Sequence, residues 1–482
     1  MRKMIYITDT NDADVNYIRD SKTITVFKGL NLLEVNHPAD AVQSSEYLKL
    51  LNHYDIFLLS NSRKTLSEAR NVFDYTRLIY EPKTKFKTFD ELVKRAFKLN
   101  LFTVCLEPKY ATQRQIRELH HYGIKVIIRV NNQLEVYKAA LAGADGVIGR
   151  NIEKVELVGD ISTLPFLVSH RGYHVDQVEN SIKSGLMAYE HGADVLEMDV
   201  HLTADDEVVV NHDRTLGRTY NKDLVIKYNT LNELKQARQK LGNQVLEDAI
   251  PTLAEMDKAL PEDLTFLVET KVETQRAIKA ISKVVNKMKR NVMVMSFYPI
   301  ALINMDESMP NNINGLLVSL DGENMDLLSM LKVINKYRLI VHPHYPKQNK
   351  ELEKELKARM IGYSPWGIPK NKLDDVLFEG HDMINSDYVH LLSHMPKRIV
   401  VKRKMEYQQN DKMEIKVYDE KGDNLDFKTH ILFDNPLGLE IKDNKIVGAK
   451  KKGTAYMYVT HTAKIIEKEI TYASDLIEVE VL

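Results

Sequence analysis

Four apolar runs in this chain end abruptly in ionisable residues, and that pattern constrains the fold more than any other feature. Phe166-Leu-Val168 leads into His170 and Arg171, and Asp194-Val-Leu196 into Glu197 and Asp199. Glu207-Val-Val-Val210 leads into His212, and Leu264-Thr-Phe-Leu-Val268 into Glu269 and Lys271. A strand that is apolar throughout is covered on both faces, as in a parallel sheet wrapped by helices. Ionisable groups at its end then collect at one mouth, the place where α/β barrels carry their chemistry. The fold expected here is a TIM-type (β/α)8 barrel.

With 482 residues the chain exceeds a single compact core, so two or three domains are expected. Residues 1–160 alternate strand-like runs, such as Met4-Ile-Tyr-Ile7 and Val126-Ile-Ile128, with amphipathic stretches, which is an α/β pattern. Residues 161–400 continue the alternation and hold every polar cluster above. Residues 401–482 change to short alternating segments, Lys412 to Tyr418 and Ala455 to Thr460, separated by turns at Lys421-Gly-Asp-Asn424 and Lys452-Gly453. A small all-β sandwich is expected there. The segment from Glu107-Pro-Lys-Tyr110 to Gly143-Ala-Asp-Gly-Val-Ile148 also repeats in His342-Pro-His-Tyr345 to Gly380-His-Asp-Met-Ile384. The first region therefore reads as a degenerate barrel-like copy without the catalytic clusters. Because about 160 residues is short for the full fold, a partial barrel is expected.

Glu197 and Asp199 lie two apart on a strand and share a face, as do Glu269 and Lys271. Carboxylates forced together repel unless a cation lies between them, and an all-oxygen donor set suits Ca²⁺ or Mg²⁺. Zinc is disfavoured, since no cysteine and no helical His-Glu-x-x-His pair stands nearby. His170 and His212 flank the acids and can exchange protons near neutral pH. Arg171 and Lys271 supply fixed positive charge for a phosphate. His174, His191 and His201 are read as surface or supporting residues, and His342 and His344 as candidates to line the pocket. Each cluster alone could be structural. Their conjunction fits metal-assisted phosphodiester cleavage.

The residues His170-Arg-Gly172, Glu179-Asn-Ser181, Glu197-Met-Asp-Val200, Val209-Val-Asn-His-Asp213, Thr215-Leu-Gly-Arg-Thr219, Ile250-Pro-Thr-Leu253, Glu269-Thr-Lys271 and Ser296-Phe297 resemble the glycerophosphodiester phosphodiesterases over roughly residues 165 to 390. The resemblance implies a TIM-type barrel and a divalent cation held by Glu197, Asp199 and Glu269. It also implies acid-base roles for His170 and His212, and phosphate binding by Arg171 and Lys271. Attack by a neighbouring substrate hydroxyl, through a cyclic phosphate, and attack by water both stay open. The chain departs from the family late in the domain, at Gly362-Tyr-Ser-Pro-Trp-Gly-Ile368 and Asn385-Ser-Asp387-Tyr388, which leaves the leaving group undefined. Trp366, the single tryptophan, and Glu179 are pocket candidates.

The tail, Leu439 to Gly448 and Lys452 to Thr460, resembles a bacterial immunoglobulin-like domain. Two additions around a phosphodiesterase suggest a large substrate, a cell-wall glycerol-phosphate polymer such as teichoic acid. With 67 basic and 68 acidic residues, no global field favours nucleic acid or an anionic membrane. Neither a signal peptide nor a transmembrane run is evident, and the lone Cys105 excludes an internal disulfide. A cytoplasmic enzyme or a phage tail component, assembled as a homo-oligomer, fits these features. The alternatives are a glycerol-phosphate-binding protein, a metabolic enzyme for small glycerophosphodiesters, and a phospholipase D-like enzyme. The last would be expected to show an apolar membrane loop and disulfides.

Overall fold

A computed structural model describes residues 4–9, 13–18, 30–35, 56–72, 76–83, 86, 88–99, 101–309, 312–319, 327–409 and 411–482. Eight short parallel strands form a closed barrel in the first region. They are β1 (Ile5–Thr8), β2 (Val15–Ile18), β3 (Asn31–Glu34), β4 (Ile56–Ser60), β5 (Arg77–Tyr80), β6 (Thr103–Leu106), β7 (Lys125–Arg129) and β8 (Gly146–Ile148), with β8 returning to β1. The partial barrel expected from length is therefore corrected to a complete ring. It closes within 148 residues because its strands have only three to five residues and six residues separate Thr8 from Val15, too few for a helical crossover.

The second ring contains β9 (Phe166–Ser169), β10 (Val195–Leu202), β14 (Thr265–Thr270), β15 (Val292–Ser296), β16 (Ile313–Val318), β17 (Leu339–Pro343) and β18 (Met383–Ser386), all parallel to their neighbours. The segment around Tyr363 and Trp366 bridges β17 to β18, with Val341 opposite Tyr363 and Trp366 opposite Asn385. One strand differs from the sequence reading. β11 (Val208–Val210) is not a barrel strand but pairs antiparallel with β10, Val200 opposite Val210. Five residues join the two arms, so only a hairpin can connect them. A small outlying hairpin comprises β12 (Lys240–Leu241) and β13 (Gln244–Val245).

The two barrels meet through the ends at which their strands begin. Phe97 and Tyr122 pack into the floor of the second barrel beside Phe166 and Ile340, and Met360 packs into the floor of the first beside Ile7 and Phe57. Polar pairs surround these plugs: Lys125 bonds Asp382 at 2.5 Å and Asp145 at 3.2 Å, and Arg117 bonds Asp194 at 3.2 Å. Arg77 donates to the carbonyl of Met360. Both mouths consequently face away from the junction.

Beyond residue 403 the chain is all β. Strands Lys404–Tyr407, Ile477–Val481, Gly453–Lys464, Lys428–Ile431 and Glu469–Ala473 form one sheet, and Met413–Glu414, Lys445–Gly448 and Glu440–Lys442 a smaller one. Tyr407, Met457, Val459 and Ile446 share a core with Leu373 and Leu377 of the second barrel. Among the described residues no helix is long and apolar enough to cross a membrane.

At the mouth of the first barrel the polar groups satisfy one another. Arg129 at the end of β7 grips Glu81 with two nitrogens and reaches Tyr17 Oη at 3.2 Å, while Tyr17 donates to Glu34 at 2.5 Å. Burial and Glu34 push the Tyr17 phenol up to about 12. Replacing Arg129 with Met strands two half-buried carboxylates. The expected loss is about 1–3 kcal/mol in urea unfolding; an unchanged midpoint would show that water already screens the network.

Candidate active site

Burial sets the problem that this mouth must solve. Glu197 and Asp199 face inward from β10 at 1% exposure each, and Glu269 on β14 stands in register beside Asp199. One carboxylate oxygen from each can be chosen so that all three lie within 4.8 Å. Burial first, and Asp199 and Glu269 next, hold Glu197 well above the usual carboxylate range. Burial and Asp199 likewise raise Glu269 to about 7. Burial opposes ionisation of Asp199 too, yet Lys271 and Arg171 overcome it and hold Asp199 at about 2.

The loop after β9 brings a backbone donor to this cluster. Arg171 adopts φ 56°, which turns its amide toward Glu197 Oε2 at 2.9 Å. Gly172 follows at φ 79°, where a Cβ would fall 2.5 Å from Ser184 Oγ, so the motif admits only glycine there. The Arg171 side chain spans Glu179, 3.2 Å away, and Asp199, 3.4 Å away. Lys271 lies 2.5 Å from Glu269 and 3.0 Å from Asp199. Both cations stay charged, since the acids outweigh the cost of burial.

His170 leaves the end of β9, with Nδ1 2.7 Å from Asp387 Oδ1. His212 reaches the mouth by the β10–β11 hairpin, where Asn211 donates its amide to the Asp199 carbonyl at 2.9 Å. Its Nδ1 lies 2.7 Å from Asp213 Oδ1. Burial holds the His212 imidazole below its ordinary value, partly offset by Asp199 and Asp213. In the tautomer in which each Nδ1–H donates to its carboxylate, each Nε2 is left as an acceptor.

All seven residues expected to act on phosphate or metal thus share one mouth. Glu179 is engaged by Arg171 and by Arg218, whose nitrogens lie 2.7 and 2.8 Å away, so it braces the cluster. Trp366 lies among the inward-facing residues, 4.4 Å from His344 and 5.8 Å from Phe297 by ring centroids, and its buried Nε1 has no hydrogen-bond partner among the described residues. His342 is buried in the barrel wall and His201 bonds the His212 carbonyl at 3.0 Å. His174 lies 3.6 Å from Asp387, and His191 stacks on Tyr173.

Three supporting residues were not foreseen as parts of the site. Asn180, at φ 56°, donates to Asp199 Oδ2 at 2.8 Å and accepts from the Asp199 amide at 3.1 Å. Arg218 ties Glu179 to Asp213. Asp387 orients His170. Asn180 and Arg218 fall inside the matched motifs, so their presence there was the available signal; Asp387 lies 217 positions from its partner.

The cluster fits a hard divalent cation. Among the described residues Glu197 Oε1 is buried with no hydrogen-bond partner, and the Glu197 and Glu269 carboxyls resist ionisation. Two other acid-histidine groups differ. Lys125 bonds both acids of His120, Asp145 and Asp382, while Lys350 and Lys357 neutralise Glu353 and Glu379 beside His381.

Because Glu197 and Glu269 have raised values in the fold, the folded state binds more protons than the unfolded chain as pH rises from the usual carboxylate range. Stability must fall as pH rises from the usual carboxylate range through about 7, where Glu269 ionises. In EDTA the melting temperature is expected to drop between about pH 5 and 8, and Glu269→Gln to flatten the drop. An identical pH profile in the variant would refute this charge balance.

Residues 170–401 match the model of the glycerophosphoryl diester phosphodiesterase family. A glycerophosphodiester phosphodiesterase of Caldanaerobacter subterraneus is 30% identical over 233 residues, which cover 46% of this chain and 93% of that protein. Glycerophosphodiester phosphodiesterase 1 of Bos taurus is 29% identical over 158 residues, 31% of this chain and 48% of that protein, so the match spans about half of this mammalian relative. A crystal structure of the Thermotoga maritima glycerophosphodiester phosphodiesterase aligns at 26% identity and a TM-score of 0.41, covering 47% of this chain and 96% of the other. The chain belongs to the glycerophosphodiester phosphodiesterase family, enzymes that hydrolyse glycerophosphodiester bonds.

Proposed function

We propose that this chain is a divalent-cation-dependent phosphodiesterase that cuts glycerophosphodiester bonds in a cell-wall glycerol-phosphate polymer of the teichoic acid type, as a phage tail component. The observation that carries the catalytic part is the buried, partnerless Glu197 Oε1 beside Asp199 and Glu269, with Arg171 and Lys271 at the rim. Glu197, Asp199 and Glu269 would hold the cation, Ca²⁺ or Mg²⁺. When bound it withdraws charge from a phosphoryl oxygen.

Arg171 and Lys271 orient the phosphate and offset the charge that grows on it. One imidazole of the His170 and His212 pair takes the proton of the attacking hydroxyl or water at Nε2. The other, in its imidazolium form with protons on both nitrogens, gives its Nε2 proton to the departing alkoxide oxygen. Asp387 and Asp213 hold each ring by Nδ1, which leaves Nε2 for the substrate. Phe297, 39% exposed, and Trp366 offer an aromatic wall for the glycerol or its leaving group.

The polymer reading draws on the additions flanking the catalytic region. We assign residues 161–400 to catalysis, residues 1–160 to a non-catalytic barrel and residues 401–482 to an immunoglobulin-like module. The self-satisfied polar mouth of the first barrel supports a structural or docking role for it. Hydrolysis of a small diester requires neither addition.

The test is release of glycerol phosphate from purified teichoic acid and, in parallel, from glycerophosphocholine, with Ca²⁺, Mg²⁺ or EDTA. Cation-dependent release from the polymer, reduced about 10³-fold by His170→Ala or His212→Ala, is the expected result. Turnover of glycerophosphocholine alone would retire the polymer in favour of a metabolic enzyme, and no turnover of either would favour a binding protein. Asp387→Asn is expected to lower kcat about 10- to 100-fold with little change in KM, as for a residue that orients a base. A change confined to KM would remove Asp387 from that role.

A further inference from the structure

We infer that a groove on the outside of the catalytic barrel, between the helices Leu253–Ala259 and Gln275–Val285, is a second binding surface for the phosphates of a polymeric substrate. The inference rests on the polymer reading above and locates where a chain longer than one diester is held. In a chain with balanced charge, residues 275–290 carry Arg276, Lys279, Lys283, Lys287, Lys289 and Arg290 and no acid. Lys279, Lys283 and Lys287 recur at intervals of four and line one wall of a groove of about 770 Å³. Ala254, Ala280, Val284 and Met288 also line it, leaving small and apolar surface against which a flexible chain can lie.

The acids in the groove do not cancel these lysines. Asp206 is engaged by Arg276 at 2.5 Å, and Asp257 by Arg290 at 2.6 Å. Glu207 is the remaining acid that lines the groove. Among the described residues Lys279, Lys283 and Lys287 form no salt bridge or side-chain hydrogen bond, and all three are exposed. Three unengaged cations thus face one unengaged anion. Lys279 and Lys283 lie on the helix, which rises about 1.5 Å per residue, so they step by roughly 6 Å, and Lys287 follows in the turn just beyond its end. That step is comparable with the distance between phosphates joined through a three-carbon glycerol bridge.

Position links this surface to the reacting groups. Gln275 begins its helix four residues after Lys271, which contacts Asp199 and Glu269. The Arg276–Asp206 pair ties the first helical turn to the tip of the β10–β11 hairpin, whose returning arm leads to His212. The lysines therefore run from the rim of the mouth down the barrel wall. A polymer with one phosphate in the mouth can lay phosphates further along its chain on them, whereas a small diester held in the mouth has no further phosphate to place there.

The full-length protein and its K279E/K283E/K287E and K279Q/K283Q/K287Q variants are compared on glycerophosphocholine and on poly(glycerol phosphate), at low and moderate salt. Binding of poly(glycerol phosphate) is measured separately with the three substitutions placed in a His170→Ala background. The expected result is unchanged turnover of glycerophosphocholine, with the polymer KM of the charge-reversed protein raised on the order of tenfold at low salt and less at moderate salt. Affinity should fall in parallel in the His170→Ala background. Equal polymer KM and affinity with and without the lysines would overturn the inference while leaving polymer cleavage standing. Lysine-dependent polymer binding by a wild-type protein that fails to cleave the polymer would do the reverse. Loss of both substrates in the glutamine variant, or equal competition by an oligonucleotide with the same number of phosphates, would also overturn it.

Discussion

The mutual repulsion of Glu197, Asp199 and Glu269, buried at one barrel mouth, is the constraint on which the surrounding structure depends. Three carboxyls so close together could not all be ionised without nearby positive charge. The protein answers with oriented donors: the Arg171 amide, turned inward by a left-handed backbone, the Asn180 amide group on Asp199, and the ammonium of Lys271. Even so, Glu197 Oε1 has no partner and Glu269 is held near 7. A site built only for stability would exchange one acid for an amide or an apolar residue. Keeping all three costs the folded state stability and leaves carboxylate oxygens of the kind a hard cation would satisfy.

The first barrel shows what the same scaffold looks like when that tension is removed. Its strand ends also carry ionisable groups, but Arg129, Glu81, Tyr17 and Glu34 form a chain in which each group meets an opposite charge or a donor. The difference between the two mouths therefore lies in satisfaction, not in the number of polar residues. Position within a barrel marks where chemistry can occur, and at the second mouth Glu197 Oε1 joins that position to a buried carboxylate oxygen that no described residue satisfies.

How much of this could be read in the sequence depended on whether the relevant contact was local. His170, Glu197, Asp199, Glu269 and Lys271 each terminate an apolar run, so strand periodicity placed them at one mouth without knowledge of the folded chain. His212 also follows an apolar run, but the five residues between Leu202 and Val208 allow only a reversal, and that short connection was the overlooked signal. Closure of the first ring depends on strand length and register around eight partners, which no local pattern records. Asp387 is the extreme case. It stands beside His170 only because β18 is the neighbour of β9 in the closed ring, so neither residue announces the other in the chain.

The junction between the barrels fixes which ends of the two rings are covered. Phe97 and Tyr122 fill one floor, Met360 fills the other, and Lys125 bonds Asp145 of its own barrel and Asp382 of the other, so separating the two would expose apolar plugs and strand buried charge together. Stacking by the floors leaves the catalytic mouth unobstructed by the first barrel. It also leaves free the outer wall bearing Lys279, Lys283 and Lys287, since the junction contacts arise from the strand beginnings and not from that helix. The polymer substrate proposed above would need both the mouth and the surface leading to it accessible at once, and the floor-to-floor junction covers neither.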